Sequence, residues 1–270
     1  MLSHPVTPTQ ITRGQRLWLY GLVTLIALFL VIPCILVIPM SFSAGSYLEF
    51  PPRELSLRWY EAFLGSADWR RALFVSLKAA ALTTVVATAL GTAAAWGIQR
   101  LTKGFGKGLH GIFMLPMLVP LILIAIGLFF VYGRIGLNGT LLGLVLAHTM
   151  LAIPFVVIAV GNGLASFDMS QHMVARSLGA SEITAFVTVT LPQIKISVMS
   201  GAVFAFITSF DEVVVGLFIA SGTNETLARR MFANIRDQID PTVAAISSLL
   251  VGMVIIGMVI FTLLQPKDKG

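Results

Sequence analysis

Asp211 and Glu212 stand side by side in an otherwise apolar stretch, residues 196–220. A carboxylate at membrane depth costs on the order of 3 kcal/mol on insertion scales, so it faces protein or water. Neighbouring helical residues point about 100° apart, so the two do not face one line of atoms. Counted from Lys195, Asp211 lies roughly 24 Å along a helix, past its middle. Two readings fit. In the first, Asp211 or Glu212, with Phe210 beside them, lines a polar path and attracts a cation, because charge interactions strengthen as the local dielectric falls. In the second, they form a structural ion pair with Lys78 or Arg134, whose long stems also suit interfacial anchoring.

Other reactive constellations are missing. His4, His110, His148 and His172 are isolated, and no His-Glu-x-x-His sets two imidazoles on one helical face. Ser247 or Ser248 with His148 is a conceivable nucleophile pair, but nothing in their context supports it. Gly104-Phe-Gly106-Lys107-Gly108 has Leu at 101 and no hydroxyl after the lysine, so it makes no phosphate cradle. Cys34 is the single cysteine, which rules out an intrachain disulfide and a cysteine metal cluster. The expectation is a chain with no catalytic residue, no metal and no cofactor of its own.

The elements that must hold these residues are membrane helices. Of 270 residues 57% are hydrophobic and only 11% charged, against about a quarter charged in soluble domains. The net charge of +6 then suits anionic headgroups rather than nucleic acid. Six stretches are long and apolar enough to span, near 17–40, 72–98, 111–132, 140–161, 196–220 and 241–264. The fold class expected is an all-α integral membrane protein with six transmembrane helices.

The run from Leu17 to Met40 is too long for a signal peptide and reads as an uncleaved anchor. Trp18, Tyr20, Trp59, Tyr60, Trp69, Trp96 and Tyr132 read as an interfacial belt. Lys and Arg divide evenly between the two sides. The short basic segment 99–110 breaks the tie and places both termini, including a tail over 1–16, in the cytoplasm. Outer loops are expected at 41–71, with a short amphipathic helix over 56–64, and at 133–139 and 221–240. Gly139/Gly143 and Ala87/Gly91/Ala95 suit close helix packing. Pro116, Pro120 and Pro154 free backbone groups inside helices, as pivots or as packing kinks.

Residues 162–195 are too many for a simple turn, and loops of this length are usually functional. Local rules divide them into two short helices. Asp168 or Ser170 caps the first, Gly179 ends it in a left-handed conformation, and Ser181 caps the second with Glu182 at its positive end. Pro192 stops it. This arrangement resembles the EAA loop of ATP-binding-cassette (ABC) importer permeases, whose pattern is Glu-Ala-Ala, three residues, Gly, nine residues, Ile-x-Leu-Pro. Here Met173-Val174-Ala175, Gly179 and Val189-Thr190-Leu191-Pro192 align, with Met173 in place of the acid. The resemblance implies that Met173, Val174, Ala175, Gly179, Ala180, Leu191 and Pro192 form a cytoplasmic coupling loop onto an ATPase.

The likeness extends over about 17–265. Trp59-Tyr60, Leu115-Pro116, Asn138-Gly139, Ala147-His148, Pro154-Phe155 and Ser209-Phe210-Asp211-Glu212 all resemble the spermidine/putrescine-type permeases, most of all the second permease subunit. That family is of the type I importer fold. It implies a permease domain over 17–265 in the bacterial inner membrane, with the coupling loop at 162–195. The implied partners are a second homologous permease, an ATPase dimer carrying ATP and magnesium, a periplasmic solute-binding protein and the lipid bilayer, with no nucleic acid. The implied solute is small and cationic, such as a polyamine. Another small amine, an amino acid, an opine or an aminophosphonate are the alternatives. A stand-alone carrier or an intramembrane enzyme are weaker ones, and a carrier would predict internal repeats with broken helices.

Overall fold

The computed structural model describes residues 13–237 and 240–264. Residues 1–12 of the expected tail, with His4, and residues 265–270, with Lys267 and Lys269, lie outside them. In chain order the helices are α1 Arg13–Met40, α2 Arg58–Gly65, α3 Ala67–Arg100, α4 Lys103–Leu118, α5 Leu121–Ile135, α6 Leu141–Ser166, α7 Met169–Ser177 and α8 Glu182–Ala185. A π-helical turn, Phe186–Thr190, leads to α9 Leu191–Gln193, α10 Lys195–Phe210, α11 Val214–Ile219, α12 Leu227–Asp237 and α13 Thr242–Leu264. Among the described residues no strand forms beyond the isolated bridge Ser43–Leu55.

The chain forms two compact units, Ala67–Ala233 and the remainder. In Ala67–Ala233, α3, α6 and α10 pack side by side around Ala87, Ala95, Val156, Val160 and Ala205. Lipid supplies no hydrophobic drive between helices, so close backbone approach has to hold them. Small residues permit it. A Cβ on Gly91 would lie 2.6 Å from Cβ of Val156, and one on Gly201 would lie 3.2 Å from Cα of the same valine. The Ala87/Gly91/Ala95 stripe is therefore the seam of α3 against α6. Gly139 instead takes a left-handed turn at φ +72°. A second cluster joins α5, α6 and α11 through Ala125, Tyr132, Leu144, Leu151 and Ile219.

Three helices, Gly14–Met40, Ala67–Arg100 and Leu141–Ser166, are long and apolar enough to cross a membrane. Two stretches expected to be single helices are broken. Gly104–Leu118 and Leu121–Ile135 meet at 95°, because Pro120 offers no N–H and forces Val119 into an extended conformation. The stretch 196–220 ends as α10 at Phe210 and resumes as α11 at Val214, with no proline or glycine to announce the gap.

Pro192 also acts differently from expectation. The helix runs through it, with Leu191 N–H reaching Phe186 O in the π turn, and bends by 80° before Lys195. A local π turn is one way in which backbone groups freed by a proline are satisfied again. The expected loop 221–240 contains α12, whose Arg229 and Arg230 both bond Glu225. Its polar composition gave no long apolar run to find.

In the other unit, α13 packs against α1 and α2. Tyr60 Oη bonds Ser41 Oγ at 2.6 Å and Ser248 Oγ at 2.7 Å, so Ser248 is engaged structurally. The faces of α1 remain exposed, with Leu25 and Phe29 among them, as lipid contact requires. Among the expected interfacial aromatics, Trp69 is buried under Arg230, and Trp96 packs on His172 and Phe186.

Gly91→Val tests the seam. Overpacking of this kind costs about 1–3 kcal/mol, so the melting midpoint of the purified chain in detergent falls. Gly97→Ala on the same helix meets nothing within 4 Å and holds or raises the midpoint, since Ala favours a helix interior by about 0.5–1 kcal/mol.

Candidate functional site

The gap after α10 is organised by Glu212. Its Oε1 accepts Val215 N–H at 2.9 Å and its Oε2 accepts Gly216 N–H at 3.0 Å. The carboxylate thus satisfies donors that α11 leaves free at its positive end. Glu212 is itself buried, 3.8 Å from Nε2 of His148. His148, fully buried on α6, shares a 2.8 Å hydrogen bond between its Nδ1 and Oγ of Ser209 on α10. Its Nε2 has no hydrogen-bond partner among the described residues, so the Glu212 oxygen is the polar group that faces it. Three segments, α6, α10 and the gap, are joined by this cluster.

Asp211 is placed differently. It is exposed, and among the described residues no basic side chain comes within 4 Å of it. The sequence-level alternative of a pair with Lys78 or Arg134 is not formed, and both cations are exposed. Asp211 and Glu212 border a cavity of about 690 Å³ whose other walls include Pro120, Leu151, Phe155 and Thr208. The cavity therefore lies between the α4–α5 break and the α10–α11 break. Phe210 is not on its wall and stacks on Phe206 at 5.9 Å. Apolar walls with two carboxylates, and the negative end of α10 beside them, suit a cation. The contribution of His148 and Ser209 was missed at the sequence level, where an isolated histidine carries no signal of its partner.

The segment 167–194 forms the second part of the site. Asp168 caps α7, accepting from Ser170 N–H at 3.0 Å and Ser170 Oγ–H at 2.7 Å, and these bonds hold its carboxyl below the usual range. Gly179 follows at φ +91°, and Ser181 Oγ accepts Thr184 N–H at 3.1 Å to cap α8. Met173 and Val174 are exposed, Ala175 and Ala180 are half-buried, and Gly179 and Pro192 are exposed while Leu191 is half-buried. Leu178, 84% exposed, and Ile183, 76% exposed, extend the apolar surface beyond the aligned motif. Their signal was apolar type on either side of a left-handed glycine in a polar segment.

Residues 87–269 match the family described as binding-protein-dependent transport system inner membrane component. The chain belongs to that family. It is 28% identical over 254 residues to the spermidine/putrescine transport system permease protein PotC of Escherichia coli, covering 94% of this chain and 96% of that one. It is 28% identical to the putrescine transport system permease protein PotI of the same species, over 89% and 88% of the two chains. The molybdenum transport system permease protein ModB of Mycobacterium bovis is 30% identical over 72% of this chain and 78% of its own. A bacterial ABC transporter that imports the acidic polysaccharide alginate shares the fold, with TM-score 0.73 at 16% identity over 96% and 100% of the chains. The chain is thus a permease of the ABC importer class, a membrane transport subunit rather than an enzyme.

The two carboxylates should separate in their effects on stability. Glu212→Ala leaves buried N–H groups without an acceptor, at about 1–3 kcal/mol for each unmet group, and lowers the melting midpoint in detergent. Asp211→Asn stays within about 0.5 kcal/mol of the parent, as exposed substitutions do.

Proposed function

We propose that this chain is one of two homologous permeases that carry a small cationic solute of the polyamine class across the bacterial inner membrane. The observation that carries the reading is the cavity at the paired helix breaks, with the exposed Asp211 on its wall and, among the described residues, no basic side chain within 4 Å of it. The polyamine permeases among its relatives support the same class. A periplasmic binding protein delivers the solute. One solved structure of the shared fold is an alginate transporter in complex with its own ligand-bound periplasmic protein. Molybdenum and alginate transport by relatives of this fold mark how widely solutes vary. The two carboxylates disfavour an anionic aminophosphonate here, and leave other amines, amino acids and opines as the alternatives.

In this reading the chain spans the membrane six times over 17–265, with α4–α5 as one span and α10–α11 as another, and with both termini and the 1–16 tail in the cytoplasm. The 162–195 segment lies on the same side and receives an ATPase dimer. The exposed apolar residues Met173, Val174, Leu178 and Ile183 are the docking surface. Met173 stands where the family has its acid, so docking here is apolar rather than ionic. ATP and magnesium belong to the ATPase, and this chain binds no cofactor.

With all partners reconstituted in vesicles, Asp211→Asn slows spermidine uptake about tenfold, equal to roughly 1.4 kcal/mol, while the assembled complex stays constant. Unchanged uptake would remove Asp211 from the path. Gly179→Val tests docking, because a β-branched residue resists φ +91°. It should keep the chain in the membrane and release the ATPase on purification. A fully retained ATPase would refute the docking surface.

A further inference from the structure

Movement of the 167–194 segment can reach the membrane core by two routes. One is covalent: the chain runs through α9, bends by 80° and enters α10. The other is a set of side-chain contacts with the end of α3, and Glu182 is at its centre. Glu182 Oε1 meets Arg100 Nη1 at 2.5 Å and His172 Nε2 at 3.0 Å, and its Oε2 lies 3.4 Å from Arg176 Nε. Arg100 is the last residue of α3, while His172 and Arg176 belong to α7. One carboxylate thus joins the end of α3 to both short helices.

The surrounding contacts make the junction rigid. The Arg100 guanidinium lies 4.8 Å from the centre of the Trp96 ring, one turn back on α3. Trp96 in turn packs 5.0 Å from His172 and 4.8 Å from Phe186 of the π turn. His172 is fully buried, and its Nδ1 bonds Thr190 Oγ1 at 3.0 Å. Arg176 also donates to Ala180 O at 2.9 Å, across the Gly179 turn. Desolvation raises the Glu182 carboxyl, but the Arg100 hydrogen bond and the charges of Arg100, His172 and Arg176 outweigh it and hold it below its ordinary 4.5. The depressed value means the contact persists above the carboxylate range and is lost only as pH falls through that lowered value.

We infer that Glu182 is a positioning residue for transport: through Arg100 it fastens the end of α3 to the docking segment, adding a charged tie to the Trp96 contacts so that α3 follows the segment together with α10. The inference rests on the reading of that segment as the ATPase-docking element. The 80° bend means that no continuous helix carries the segment into α10 on the covalent route. α3 packs against both α6 and α10, and shifting the three together needs a second handle. Glu182 supplies it from the inner side of the segment, opposite in role to the exposed Met173, Val174 and Leu178.

The test is a double-mutant cycle in the complete importer reconstituted in vesicles, with spermidine as probe. Glu182→Gln and Arg100→Met are each expected to lower solute imported per ATP hydrolysed at least fivefold, with the ATPase still bound. The double variant should be no worse than Glu182→Gln alone, because the Arg100 contact is already lost in that single variant. Additive losses, or a wild-type ratio in Glu182→Gln, would overturn the inference. Loss of the ATPase from Glu182→Gln would also overturn it, since the residue would then belong to the docking surface. If the parent chain retains no ATPase, the docking reading is what fails. If the parent carries no spermidine, the cycle is read on the ATP-driven change in distance between spin labels at Gly97→Cys and Gly127→Cys in a Cys34→Ser chain. A change that persists in Glu182→Gln would sink the proposal there too.

Discussion

A helix that starts in apolar surroundings leaves N–H groups with no water to bond, and the structure around the cavity depends on how that demand is met. At α11 Glu212 meets it with both oxygens, on Val215 and Gly216. Because the acceptor is a side chain from the gap itself, α10 can end and α11 begin without proline or glycine. The same carboxylate is then fixed beside His148, and His148 is fixed by Ser209. Asp211, one residue earlier, is exposed, has no basic side chain within 4 Å among the described residues, and borders the cavity. Two adjacent acids therefore divide the work, one holding the backbone and one facing the space.

The opposite wall arises from a covalent cause. Pro120 cannot donate and pushes Val119 out of the helical region, and the chain turns by 95°. A break made by proline and a break made by a capping acid thus border the same cavity. Both are tolerable because α6 runs past them as a packed, largely buried helix, with Leu151 on the cavity wall. The small-residue seam of α3 on α6 keeps that helix in place.

The segment after α6 follows the same logic at a polar boundary. Asp168 and Ser181 cap its helices, and Gly179 supplies the left-handed corner. Its inner side is charged and aromatic, gathered on Glu182 and Trp96, whereas Met173, Val174, Leu178 and Ile183 leave its outer side apolar and exposed. A segment with a fixed inner side and an open apolar outer side is suited to receive a partner and pass on its movement.

Much of this was decided by local chemistry and so was readable in the chain. Apolar length made the membrane helices, because backbone groups in lipid must bond within their own segment. Asp168, Gly179 and Ser181 set the ends of α7 and α8, because caps and left-handed corners depend on one residue type at one position. That α3 packs closely along Ala87, Gly91 and Ala95 was likewise readable, whereas its partner α6 was not. What tertiary structure alone decided were the contacts between distant residues. The gap at 211–213 has no sequence breaker and exists because Glu212 finds two N–H groups and His148 finds Ser209, 61 positions away. Glu182 read as a helix-start acid, and only folding brought Arg100 to it. Trp96 read as an interfacial anchor, and only folding set it against His172 and Phe186. Spacing along a chain encodes what a residue can do for its own turn of helix. Which distant partner a charge or ring meets is settled when helices pack, because a buried polar group is stable only where another segment completes its hydrogen bonds.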